Sequence, residues 1–220
     1  MAGVRGSLLV QLVALFALCR APLKLTSNFG PGGFPADHRG DEDNVSPPIS
    51  WSGAPKKTES YVLIFDSAMD GEGDGEKSKK THWLVYDIPQ NVTELREELS
   101  GAGSSDVARL GFKEDAGQAP VIVDPMGSID GYVDPEIKAM QDMVHAAMDE
   151  SFEDRNRAKE GATSFGGTYY HGPSEEGVTC TLRLYALSGR LQLPRGASRE
   201  EVVKAMKGKV LAKATLEAKV

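Results

Sequence analysis

Short apolar runs, not long periodic stretches, carry the hydrophobic pattern of this chain. Tyr61-Val62-Leu63-Ile64-Phe65 is an unbroken apolar run of strand length, closed by Asp66. His82-Trp83-Leu84-Val85-Tyr86-Asp87-Ile88 is a second, ended by Pro89. Runs this short and this continuous suit strands buried on both faces. Thr181-Leu182-Arg183-Leu184-Tyr185-Ala186-Leu187 instead alternates, with Leu182 and Leu184 set against Thr181 and Arg183, and predicts a strand with one covered face. A further short strand is expected near Leu23–Thr26. Ser46-Pro47-Pro48-Ile49-Ser50-Trp51 reads as extended chain entering a strand, because two prolines fix φ and remove donors. A turn follows at Ser52-Gly53-Ala54-Pro55.

Two segments read as helix. Pro135–Lys159 places Ile137, Met140, Val144, Ala147, Met148 and Phe152 on one helical face. Ser198-Arg199-Glu200-Glu201 has the form of a capping box, in which the Ser198 hydroxyl accepts from the third amide and Glu201 reaches back. Val202, Val203, Ala205 and Met206 follow, and Gly208 supplies the stop. Between the first two strand runs, Asp70 to Lys80 is built almost wholly of Gly, Asp, Glu, Lys and Ser and predicts a solvated loop. Its acids Asp70, Glu72, Asp74 and Glu76 lack the terminal bidentate Glu of a calcium loop, so no metal is expected there. There is no internal repeat. The pattern predicts one mainly β domain with a few peripheral helices.

Composition narrows the function classes. With 220 residues, 40% hydrophobic and 26% charged, the chain is long enough for a real core and ordinary for a globular protein. Its net charge of −7 and lack of a long basic run exclude nucleic acid as an expected partner and leave membrane contact at most peripheral. Arg5 followed by the apolar stretch Leu8–Cys19 is too short to span a bilayer. It has the form of a secretory signal over residues 1–21, cut after Cys19 or Ala21, which predicts a secreted or periplasmic-type domain over 22–220. Removal of Cys19 would leave Cys180 without a partner, so Cys180 is expected to be a buried, inert thiol. Of two sequons, Asn44-Val45-Ser46 and Asn91-Val92-Thr93, the second reads as lying in a turn.

Three segments resemble one family. Ser46-Pro47-Pro48-Ile49-Ser50-Trp51-Ser52-Gly53-Ala54-Pro55 precedes a strand with Asp66 at its end; His82-Trp83 opens the next; Tyr170-His171-Gly172-Pro173 precedes the strand ending Tyr185-Ala186-Leu187. This order is similar to the phosphatidylethanolamine-binding protein family, in its bacterial-type Raf-kinase-inhibitor-like branch. Residues 198–212 are similar to it as well, and the resemblance spans roughly 23–112 and 164–216. It implies an antiparallel β-sandwich with a small pocket for a phosphate-bearing headgroup or another anion. It implies pocket positions at Asp66, His82, Gly172 and Pro173; beside them, Tyr170 could form an aromatic wall, and His171 either partly replaces a missing histidine or is an exposed loop histidine. Imidazole can donate to a phosphate oxygen, an adjacent carboxylate would raise its pKa and fix its tautomer, and a Gly-Pro loop brings backbone close to a ligand.

The chain departs from the family pattern in three places. Asp66-Ser67-Ala68-Met69-Asp70 stands where the family has Asp-Pro-Asp-x-Pro, which removes a second acid and both prolines. Val178-Thr179-Cys180 stands where it has His-Arg-Tyr, which removes a histidine and an arginine and weakens the expected anion site. Residues of about 118–163 form an insertion that either roofs the pocket or packs outside the sheet. No nucleophile–base constellation, cofactor loop or zinc spacing is visible, so the expectation is a binding protein without cofactor and not an enzyme. The alternatives are a secreted interaction or inhibitor protein, contacting a protein partner through the acidic loop and the inserted helix, and a weak hydrolase using Asp66 and His82.

Overall fold

A computed structural model describes residues 22–69, 79–101, 104–110 and 157–220. The signal-like segment 1–21, the acidic residues 70–78 and residues 111–156, with nearly all of the predicted inserted helix, lie outside the described residues.

The described chain is mainly β. Strands β1 (Lys24–Ser27), β2 (Ile49–Ser52) and β5 (Glu94–Leu95) form one small sheet in the order β1-β2-β5. Strands β3 (Ser60–Met69), β4 (Lys80–Pro89), β8 (Lys159–Glu160), β9 (Val178–Leu187) and β10 (Val210–Lys219) form a five-stranded sheet in the order β10-β9-β3-β4-β8, every pair antiparallel. A two-residue pair, β6 (Ser100–Gly101) and β7 (Ser104–Ser105), lies apart.

The central strands β3 and β4 are buried on both sides, as their unbroken apolar runs predict. One side carries Tyr61, Leu63, Phe65, Trp83, Val85, Leu182 and Leu184, which pack against Ile49, Trp51 and Leu95 of the small sheet. Trp51 meets Tyr61 edge-on at 5.3 Å between ring centroids. The opposite side carries Val62, Ile64, Leu84 and Tyr86, covered by Leu191, Ala197 and the helix α1 (Arg199–Met206) through Val202 and Met206. The predicted capping box is present: Glu201 N–H donates to Ser198 Oγ at 3.2 Å and Ser198 N–H to the Glu201 carboxylate at 2.8 Å. Gly208 adopts φ +77°, the left-handed geometry that ends a helix without Cβ strain.

Two expectations are corrected. β3 runs past Asp66 to Met69, so Asp66 lies within a strand and not at its end. Lys159, placed by periodicity at the end of a helix, lies in strand β8 and pairs with Tyr86, and Arg157 and Ala158 before it are not helical. The tail of the predicted insertion is thus an edge strand of the main sheet. β10 has a helix-like composition, Val-Leu-Ala-Lys-Ala-Thr-Leu-Glu-Ala-Lys, yet Ala214 and Ala218 are buried and Ala212 and Leu216 pack on the core. That period of two is faint because small alanines carry it; pairing with β9 along its whole length decides the strand.

Candidate functional site: a bulge that divides two polar pairs

Two consecutive polar pairs, Asp66-Ser67 on β3 and Thr81-His82 on β4, meet across the sheet. Side chains alternate along a strand, so Asp66 and Ser67 must point to opposite faces. Phe65 pairs with Trp83, but Asp66 pairs with Thr81, so the ladder shifts by one residue and His82 is the extra one. A bulge of this kind re-aims a side chain. Here it turns the imidazole toward the Phe65 and Ser67 side, 5.5 Å from the Phe65 ring and hydrogen-bonded to Ser67.

That side holds a cavity of about 40 Å³, lined by Ser67, Lys80, His82, Phe165, Pro173 and Ser174, with Glu175 and Val178 at its edge. By the measure of ~10–15 Å³ per water, it has room for a few waters or one small headgroup, and no room for an acyl chain. Lys80 and Glu175 form an ion pair at its mouth, both about half exposed. Phe165, 40% exposed, stands over His82 at 5.1 Å and stacks flat on His171 at 4.0 Å.

His82 has both ring nitrogens engaged. Nδ1 lies 2.7 Å from the His171 carbonyl oxygen, which can only accept, so Nδ1 carries the proton. Nε2 lies 2.8 Å from Ser67 Oγ. Burial dominates its titration and lowers the pKa to about 4, against the raising effect of the backbone hydrogen bond to His171. The imidazole is therefore neutral near pH 7, Nε2 carries a lone pair, and Ser67 O–H donates to it. The Asp66 charge does raise this pKa, as expected, but desolvation outweighs it, and a backbone carbonyl, not a carboxylate, sets the tautomer.

Asp66 lies on the other face. Its carboxylate, 2% exposed, accepts from Thr81 Oγ1 at 3.0 Å, Arg183 Nη1 at 3.0 Å and Arg199 Nη2 at 3.2 Å. A buried carboxylate needs such partners, and these tie β3, β9 and the first residue of α1 together. Asp66 does not line the cavity. The paired Asp66–His82 site implied by the resemblance, and with it the Asp–His general base of the hydrolase alternative, is not assembled here.

The Gly-Pro loop divides its roles. Pro173 lines the cavity. Gly172 serves packing: its N–H donates to Asn44 Oδ1 at 2.8 Å, and a Cβ there would lie 2.0 Å from the His38 carbonyl oxygen. Tyr170 is fully buried, donates its hydroxyl to the His38 carbonyl at 2.5 Å and stacks beside Phe65, so it is core beneath the site and not a wall of it. Its phenol is correspondingly pushed to a higher pKa by burial. His171 supplies the carbonyl that holds His82, while its own ring donates to Gly172 O at 3.1 Å and carries Phe165. Cys180 is free and buried, its thiol pushed up to about 12. Asn44 is thus bound into the loop contact, whereas Asn91 of the second sequon is exposed in a turn. The acidic loop and inserted helix, assigned above to partner contact, fall outside the described residues but for Arg157–Lys159.

Ser67, Lys80, Phe165 and Ser174 were not singled out from the sequence. Ser67 has a sequence signal: it stands where the family pattern has proline, and a hydroxyl in place of that proline, next to Asp66, is informative. In the sequence Lys80 stands at the end of a polar loop, and Phe165 carries no local pattern.

Comparisons with known proteins agree with this architecture. The family model for phosphatidylethanolamine-binding proteins matches residues 24–220. A UPF0098 protein of Methanothermobacter thermautotrophicus is 32% identical over 187 residues, covering 84% of this chain and 88% of that one. A UPF0098 protein of Aquifex aeolicus is 35% identical over 117 residues, 49% of this chain and 65% of that one. Among solved structures, a putative phosphatidylethanolamine-binding protein homologue of Chlamydia trachomatis aligns with a TM-score of 0.58 at 20% identity, covering 90% of this chain and 97% of that one. YbcL of E. coli aligns with the same TM-score of 0.58 and the same coverage, 90% and 97%, at 17% identity, and these two show the fold. With nearly the whole described chain matched by the family model and by a relative of similar length, this protein belongs to the phosphatidylethanolamine-binding protein family.

Proposed function

We propose that this protein binds a small phosphate-bearing headgroup, or another anion of that size, in the cavity between His82 and the Pro173 loop. The observation that carries the reading is the placement of Lys80 and His82 on one small cavity, closed on one side by Phe165 and Pro173. Lys80 is the cation at its mouth, and its partner Glu175 is about half exposed, so exchange of that carboxylate for a phosphate costs little desolvation. An arriving anion favours the charged imidazole, and a proton on Nε2 converts His82 from acceptor to donor. Binding is then coupled to proton uptake and strengthens as pH falls toward the His82 range.

The cavity is small, and Val178 gives it an apolar edge where the family pattern has histidine. This favours a headgroup alone over a whole lipid. Titration of phosphorylethanolamine into the full chain, followed by phosphorus NMR, tests the reading. A saturable shift that disappears in Lys80→Glu and persists in Glu175→Gln supports it. A shift unchanged by Lys80→Glu, or none in the wild type, refutes it.

A further inference from the structure

We propose that Ser67 is a nucleophilic hydroxyl, activated by His82, that accepts a small acyl group such as acetyl from an ester. This goes beyond anion binding and does not depend on it; it needs only the cavity to admit an acyl carbon.

The geometry is that of a nucleophile, a base and an orienting group. Ser67 Oγ is 2.8 Å from His82 Nε2, and the ring is held by Nδ1–H donating to the His171 carbonyl at 2.7 Å. The carbonyl takes the place a carboxylate fills in the familiar triad: it fixes the tautomer that leaves Nε2 free to take a proton. The hold is reciprocal, because His171 N–H donates to the His82 carbonyl at 3.0 Å. Backbone therefore clamps both ends of the base. Phe65 and Phe165 flank the ring at 5.5 and 5.1 Å and limit its rotation.

Ser67 and His82 both line the cavity, so the hydroxyl meets whatever enters it. Both side chains are otherwise buried, 5% and 2% exposed, so the cavity is their one opening among the described residues. Lys80, the register partner of Ser67, lines the same cavity and offers positive charge to an oxyanion. A volume of about 40 Å³ suits an acetyl group, with the leaving group outside past Phe165.

The step balances. Ser67 Oγ bonds to the acyl carbon while its proton passes to His82 Nε2. The carbon–oxygen bond to the alcohol breaks, and the imidazolium returns the proton to the departing alkoxide or phenoxide. An acetylated Ser67 and a free alcohol or phenol result, with His82 neutral again.

The test uses p-nitrophenyl acetate on the full chain, with peptide mapping of the acetyl group and release of p-nitrophenol as readouts. Ser67 should be acetylated faster in the native protein than in the chain unfolded in urea. His82→Asn offers a donor toward the His171 carbonyl but removes the base, and should slow acetylation at least ~10-fold, below the usual general-base range because burial makes this imidazole a weak base. Ser67→Ala should abolish the mapped site. Native acetylation of Ser67 no faster than in urea would overturn the proposal without recourse to any variant. So would a His82→Asn protein that reacts at the wild-type rate.

Discussion

The two faces of the sheet at the Asp66-Ser67 and Thr81-His82 positions use the same kinds of residue to opposite ends. On one face, Asp66 is saturated: a threonine and two arginines satisfy its oxygens, and the cluster joins β3, β4, β9 and α1. On the other, Ser67 and His82 satisfy one another but border open space. A carboxylate removed from water demands full pairing, whereas a neutral hydroxyl–imidazole pair does not, so only the second leaves room for a ligand. Neighbouring polar residues in a strand are therefore poor evidence of one shared site, and here a single bulge decides which of them meet.

The largest effect should come from the closed face. Asp66→Asn strands Arg183 and Arg199 around an uncharged group and should cost roughly 3–5 kcal/mol in chemical denaturation. A loss below about 1 kcal/mol would mean that the cluster does not anchor α1. The second effect is a pH dependence belonging to the open face. The folded His82 titrates at about 4 and the unfolded one near ~6.5, so the unfolded chain binds more protons between these values. Stability from this group is complete above about pH 6.5 and falls as pH drops toward 4, by up to about 3 kcal/mol. In His82→Asn that part of the acid slope should vanish; an unchanged slope would assign it to other groups.

Gly172→Ala tests the loop that frames the cavity. Its new methyl meets the His38 carbonyl and should cost about 1–3 kcal/mol, read as a lower midpoint of thermal unfolding. A variant as stable as wild type would show that the loop gives way freely. The smallest stability effect belongs to Lys80→Ala, within about 0.5 kcal/mol because its ion pair is exposed. Its phosphorylethanolamine signal should nevertheless be lost, which separates binding at the open face from stability at the closed one.

Much of the fold was legible. Tyr61–Phe65 and His82–Ile88 are strands because buried central strands need apolar residues on both faces, and the Ser198 box starts a helix by local hydrogen bonding alone. The site was legible only in part. His82 and Pro173 line the cavity, but Asp66, Gly172 and Tyr170, placed there by the same reasoning, are an ion cluster, a tight packing contact and core. Sequence order shows which residue types stand near one another along the chain; it does not show the face to which each points once the register shifts.

What the sequence determined by itself is therefore local and periodic: strand runs, the cap, the turn glycine and the motifs that mark the family. The tertiary structure decided which polar groups share a cavity. The one-residue bulge depends on how two strands pair, and the His171 carbonyl, Arg183 and Arg199 arrive from about ninety residues or more along the chain, so no local propensity encodes any of them.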